Sequence, residues 1–211
     1  MREAPSRPVD RIEPDARHEG IVRLLVDGRT VLTVPVEAVR AEGVERGSTL
    51  TEAVFGRLCD WADREAAYRT ALRLLARRPF ARQDLGRRLM LKGHQQAAVS
   101  GALERAESAG VLNDERFALH YVQTRLARGR GPARLRRELA VQGVAAPVVD
   151  RVLAEETSEE QSQAAMLALA RKRASQLPNL ERSARVRRVL AYLARRGYSG
   201  PEVRRLVRQT T

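Results

Sequence analysis

The sequence predicts a mostly α protein. Three tandem three-helix repeats form an elongated, curved body, preceded by a small N-terminal β-hairpin element. Two observations predict it. One pattern occurs three times, centred on Gly93, Gly143 and Gly197, at intervals of 50 and 54 residues. Eight residues before each glycine stands Leu85, Leu135 or Val189, and four before it Leu89, Leu139 or Leu193. Six residues after it comes Val99, Val149 or Val203, and ten after it Leu103, Leu153 or Val207. Apolar residues four apart on each side of a glycine are the stripes of two helices with a stop between them. The second observation is that strand character is confined to the segment ahead of the repeats. Units of roughly 45–50 residues bury little alone and gain by stacking on their neighbours.

The elements follow in chain order. Residues 1–18, rich in proline and mixed charge, read as a flexible arm. Residues 19–60 read as a β-hairpin and helix element. The apolar runs Ile21–Val26 and Val31–Val36 flank Asp27-Gly28, a pair that tolerates the positive φ of a tight hairpin turn. Pro35 cannot donate to a ladder and belongs at an edge or strand end. Thr49 and Glu52 have capping-box spacing, placing a helix start close to Thr51.

Residues 61–110 form the first repeat. Tyr68, Ala71, Leu72 and Leu75 make a helical stripe that Pro79 ends. Helices over 82–91 and 95–109 follow, stopped by Gly93 and Gly110. Residues 111–156 form the second. Asn113 is its N-cap, and Asp114 and Glu115 favour the helix dipole. Phe117, His120, Tyr121 and Thr124 share a face, with His120 at the edge of the core. Gly129 and Gly131 break this helix, Pro132 suits a first helical position, and Pro147 begins the unit's last helix. Residues 157–211 form the third. It has a capping pair at Ser158 and Gln161, an interruption at Pro178-Asn179, a stripe of Val186, Val189, Leu190 and Leu193, and a strong helix start at Ser199, Pro201 and Glu202.

Charge narrows the function. The chain carries 39 basic and 26 acidic residues, for a net charge of +13. Only Lys92 and Lys172 are lysines, so 37 of the 39 basic residues are arginine, whose planar fork suits phosphates and carboxylates. Residues 1–60 are net −2, so the whole excess lies on the repeats. A polyanion or an acidic protein surface is the complementary partner. Cys59 is the single cysteine, which fits a reducing cytoplasm. No apolar run approaches the ~20 residues of a membrane span, and no signal peptide is evident.

Enzyme signatures are missing. The sequence contains no phosphate loop of the Gly-x-x-x-x-Gly-Lys-Ser/Thr type. His18, His94, His120 and Cys59 lack zinc-ligand spacing. The expectation is no catalytic residue, no metal and no cofactor. Three arginine-rich clusters remain, each on the second helix of a repeat. Arg87, Arg88 and Lys92 lie in the first. Arg134, Arg136 and Arg137 lie in the second. Arg185, Arg187, Arg188, Arg195 and Arg196 lie in the third. If equivalent helices stack in register, the clusters make one basic stripe. Otherwise each is the solvated face that any soluble helix needs. Arg130 and Arg134 also flank a loop entering a helix N-terminus, where a phosphate can bind. The repeats' later aromatics, Phe80, Phe117, Tyr121, Tyr192 and Tyr198, fall mostly on buried stripes. Phosphate contacts without base stacking are therefore expected.

The segments Leu112-Asn113-Asp114-Glu115-Arg116-Phe117-Ala118 and Gly131-Pro132-Ala133-Arg134-Leu135-Arg136-Arg137-Glu138-Leu139 resemble the signatures of the RecX family. So does Ala71-Leu72-Arg73-Leu74-Leu75-Ala76-Arg77-Arg78, followed by Asp84-Leu85. The resemblance spans about residues 61–208 and is most specific in the middle unit. There it marks Asn113, Asp114, Phe117, Gly131, Leu135, Leu139 and Gly143 as structural motif positions. One departure is Ala81, where the family offers a serine helix cap. The sequence as a whole is expected to give a cytoplasmic monomer, and the resemblance implies a non-enzymatic regulator of homologous recombination and the SOS response. It would bind the RecA recombinase filament on single-stranded DNA and inhibit its ATPase, strand exchange and coprotease activity. Arg87, Arg88, Lys92, Arg130, Arg134, Arg137, Arg187, Arg188, Arg195 and Arg196 are the candidates for contacting filament or DNA. Charge alone fits an alternative equally well, a non-specific architectural DNA-binding protein.

Overall fold

The computed structural model describes residues 4–210 and divides into two compact units. The first comprises residues up to 78 together with 85–112. It opens with a three-stranded antiparallel sheet, β1 (Arg11–Pro14), β2 (Ile21–Val26) and β3 (Arg29–Pro35), in that order. The β2–β3 turn is Asp27-Gly28, with φ of 50° and 70°, as the dipeptide required. A short helix, α1 (Val36–Ala41), follows directly after Pro35.

The arm differs from its expectation. Residues 1–3 lie outside the described residues. Within 4–18, Arg11–Pro14 pairs with β2 from Arg11↔Leu25 to Pro14↔Val22. Val9 is 1% exposed in the sheet's core, beside Leu24, Val34, Phe55 and Leu58. Of the prolines that suggested a loose chain, Pro5 and Pro8 precede the short strand and Pro14 is its last residue, where a missing N–H is tolerated. Val9 and Ile12, three residues apart, were too small a signal to read.

The boundary drawn between residues 60 and 61 falls inside one helix. α2 (Glu52–Leu75) is 24 residues, a rod of about 36 Å. The Thr51 hydroxyl caps it by accepting from the Val54 N–H at 3.3 Å. Phe55 and Leu58 pack beneath the sheet. Farther along, Ala67, Thr70 and Ala71 are buried where α2 runs against α4 (Gln96–Ser108). No proline interrupts this stretch, so the helix serves both the N-terminal element and the first repeat.

The second unit comprises residues 79–84 and the described residues from 113 onward. Residues 79–84 enter the first turn of α3 (Arg82–Leu91), and Ala81 is buried in this unit's core. Ala81 has no side chain with which to cap that helix. Asp114 supplies the missing group, because its Oδ1 accepts the Arg82 N–H at 2.6 Å. The second repeat is α5 (Asp114–Leu126), α6 (Pro132–Gln142) and α7 (Ala146–Glu156). Its core includes Phe117, Val122, Leu135, Leu139, Val149 and Leu153. Asn113 caps α5, its Oδ1 accepting from the Arg116 N–H at 2.9 Å. His120 is exposed, not at the core edge as its spacing suggested. The third repeat is α8 (Glu159–Ser175), α9 (Arg182–Arg196) and α10 (Pro201–Thr210) around Met166, Ala170, Val189, Leu193 and Val207. The Ser158 hydroxyl caps α8, and Glu181, which the sequence did not single out, caps α9.

The threefold register holds at atomic level. Leu85, Leu89, Leu135, Leu139, Val189 and Leu193 are all 0% exposed. Gly93, Gly143 and Gly197 have φ of 89°, 86° and 94°, the left-handed conformation that ends each second helix. Leu139→Ala is therefore expected to destabilise the protein by about 2–5 kcal/mol, the loss of buried contacts plus the cavity left behind. Chemical denaturation of the purified variant measures this. An unchanged midpoint would contradict the burial.

Candidate nucleic-acid interface

The second and third repeats meet backbone to backbone. The Gly131 N–H donates to the Arg196 carbonyl at 2.6 Å. A Cβ placed on Gly131 would lie 2.8 Å from the Gly197 carbonyl oxygen, closer than side chains tolerate. A Cβ on Gly197 would overlap Arg134, coming within 2.5 Å of its backbone nitrogen. The helix-stopping glycine of the third repeat thus docks on the first turn of the second helix of the repeat before it. Gly143 does the same one repeat earlier, where its Cβ would overlap Gln83 in the first turn of α3.

Around this joint the arginines gather. Arg128, Arg130, Arg134, Arg195, Arg196 and Tyr192 line a depression of about 420 Å³. Next to it, Tyr121, Arg134, Arg137, Glu138, Val141, Gln142 and Arg195 line a shallower one of about 450 Å³. The joint itself builds these walls. Arg134 Nη1 donates to the Arg195 carbonyl at 2.7 Å, and Arg196 Nη1 donates to the Arg128 carbonyl at 2.9 Å. Arg196 also lies over the Tyr192 ring, 4.9 Å from its centroid.

One carboxylate stands among these cations. Glu138 accepts from Arg130 at 2.6 Å, Arg134 at 2.7 Å and the Tyr121 hydroxyl at 3.1 Å. Burial pushes its pKa up, but the three hydrogen bonds outweigh it and hold the carboxyl below its ordinary value. Burial raises the Tyr121 phenol, whose ring also lies 3.5 Å beneath the Arg125 guanidinium.

This geometry sorts the sequence candidates. Arg130 and Arg134, the sequence's candidates for a phosphate contact, are half-buried and bonded to Glu138 beside the joint. Arg134 is also the position on which Gly197 rests. Arg137 and Arg195 are exposed and share the shallower depression. Arg187 and Arg188 are exposed two turns earlier on α9 and line neither depression. Arg136 is exposed but paired with Asp150 at 2.8 Å. In the first unit, Arg87, Arg88 and Lys92 are exposed on and just after α3, next to Leu91, which is 87% exposed. Sequence reasoning missed Tyr192, Tyr121 and Glu138 as parts of the site. Tyr121 and Tyr192 are only half-buried, not sunk in the core, and both carry guanidinium groups on their rings. Among the described residues no group of three or more His, Cys, Asp or Glu is placed to hold a metal, and no helix is long and apolar enough to cross a membrane.

Comparison with known proteins agrees with this architecture. Residues 113–153 match the family model of the second three-helix domain of RecX, and residues 159–207 that of the third. The chain is 37% identical over 140 residues to a regulatory protein RecX of Halorhodospira halophila, covering 66% of this chain and 85% of that one. It is 38% identical over 148 residues to one from Streptomyces coelicolor, covering 69% and 77%. A crystal structure of a regulatory protein RecX has the same fold, with a TM-score of 0.78 at 20% identity over 96% of this chain and 99% of that one. RecX from Lactobacillus salivarius gives a TM-score of 0.63 at 18% identity, over 70% and 96%. With its three-helix repeats, its glycine-docked joint and these relatives, the chain belongs to the RecX family of regulatory proteins.

Proposed function

We propose that this chain is a non-enzymatic regulator that binds the RecA filament on single-stranded DNA and inhibits its ATPase, strand exchange and coprotease activity. It would act as a cytoplasmic monomer without cofactor. The observation that carries the reading is the arginine-walled joint between the second and third repeats. Five arginines line its first depression, two of them, Arg130 and Arg134, bonded to Glu138, which lines the neighbouring one. Such a surface suits the sugar–phosphate backbone and reads no base edge. A repeat protein engages an array through many weak contacts, and effective concentration adds them.

The rival is a non-specific architectural DNA-binding protein, which the same charge would serve. The two separate on preformed filaments. The chain is expected to lower RecA ATPase at amounts well below one molecule per RecA protomer, and to do so in the presence of excess free single strand. Recovery of ATPase in strict proportion to the DNA added would favour the rival. Binding to free single strand should weaken steeply with salt, with a slope of about −4 in log K against log salt for six phosphate contacts.

A further inference from the structure

The second and third repeats share a second surface, of the opposite character. A groove of about 390 Å³ lies where the end of α7, the start of α8 and α10 come together. Its floor is apolar. Leu153 and Met166 are 4% and 2% exposed, and Val203 and Leu206 are partly buried beside them. Its rim is acidic. Residues 157–211 contain four acidic side chains, Glu159, Glu160, Glu181 and Glu202, against twelve basic residues, yet Glu159 and Glu202 both stand on this groove, Glu202 with Arg205 at 3.6 Å outside the lining. The one guanidinium lining it, Arg136, is bonded to Asp150. The lining is thus net negative on a chain of net charge +13.

A nucleic acid does not fit here, because its phosphates would meet carboxylates over a greasy floor. We infer that the groove docks a protein segment that presents an apolar side chain flanked by lysine or arginine, contributed by a protomer of the filament. The inference rests on the filament reading and divides the labour within it. The arginine joint meets DNA, and the acid-rimmed groove meets protein. Charge complementarity selects the partner and the apolar floor supplies the anchor.

The test exploits opposite signs. In the full chain, E159K/E202K adds positive charge, so affinity for free single strand, read by fluorescence anisotropy, should rise about threefold or more. Affinity for preformed RecA filaments, read by co-sedimentation, should fall at least tenfold. S162W fills the groove at constant charge and should weaken filament binding while leaving DNA affinity unchanged, with melting curves verifying both folds. If the filament affinity of both variants holds or rises, the groove is not a protein site and the inference is overturned. If the wild-type chain binds no filament, the filament reading itself has failed. The groove is still probed directly by the Met166 methyl resonance during titration with an amphipathic leucine–lysine peptide. A saturable shift that E159K/E202K abolishes supports the groove chemistry, and no shift refutes it. Sedimentation of the chain alone covers one further occupant. Self-association abolished by E159K/E202K would assign the groove to a second copy and overturn the filament assignment.

Discussion

Gly197→Ala is expected to cost roughly 2–5 kcal/mol, against about 1–2 kcal/mol for Gly93→Ala at the equivalent position of the first repeat. Both glycines sit at positive φ, 94° and 89°, so both variants carry the strain of a left-handed non-glycine residue. They differ in what the new methyl would meet. At Gly93 nothing lies within 4 Å. At Gly197 the methyl runs into Arg134, including its backbone nitrogen at 2.5 Å, and into the Gly131 carbonyl oxygen at 2.9 Å. Backbone cannot step aside as a side-chain tip can, so the joint between the second and third repeats must open. Gly143→Ala should cost more than Gly93→Ala: the far end of the Gln83 side chain can swing away, but the Gln83 Cβ at 2.4 Å is fixed to its backbone. At about 2–4 °C per kcal/mol for a chain of this size, both melting shifts are separable from that of Gly93→Ala. Equal shifts would mean that the glycines act as helix stops alone and that the docking contributes nothing.

The contrast shows where sequence reading ends. Periodicity carries information about a residue's own helix, and it located the stripes and the stops. The buried sides of Leu85, Leu135 and Val189 were legible because each is repeated at one spacing with the same chemistry. What a glycine's missing Cβ makes room for belongs to another element, 63 residues away in the case of Gly197 and Arg134, and no local pattern encodes it. The same holds for Asp114. Its place after Asn113 announces a helix start, while its bond to the Arg82 N–H, standing in for the absent cap at Ala81, exists only in three dimensions. In the N-terminal element the hairpin turn was legible from two residues. β1 was not, since four residues with a terminal proline give no alternation long enough to read.

The arginines mark the same limit, and they carry the second large prediction. By composition every arginine of α6 and α9 is alike. The structure separates Arg134, bonded to Glu138 and to the Arg195 carbonyl, from Arg137 and Arg195, whose side chains are exposed in the depression beside it. R137E/R195E should therefore keep the melting temperature of the parent chain and lose affinity for single-stranded DNA. Each phosphate contact contributes about 0.7 to the salt slope, which near 0.1 M salt is about a fivefold gain in affinity. Reversing a charge removes that gain and adds repulsion of similar size, so two reversals should weaken binding by about 10²–10³-fold and flatten the slope by about 1.4 from the lost contacts alone, towards about 2.8 with the repulsion. R134E should behave in the opposite way. It places a carboxylate against Glu138, strips the hydrogen bond from the Arg195 carbonyl and destabilises the joint before any ligand is added. Salt-dependent anisotropy and thermal melts on the same three proteins decide the matter. If R137E/R195E binds with the parent's affinity and slope, the phosphate contacts lie elsewhere on the chain, and the exposed Arg187 and Arg188 of α9 become the next pair to reverse.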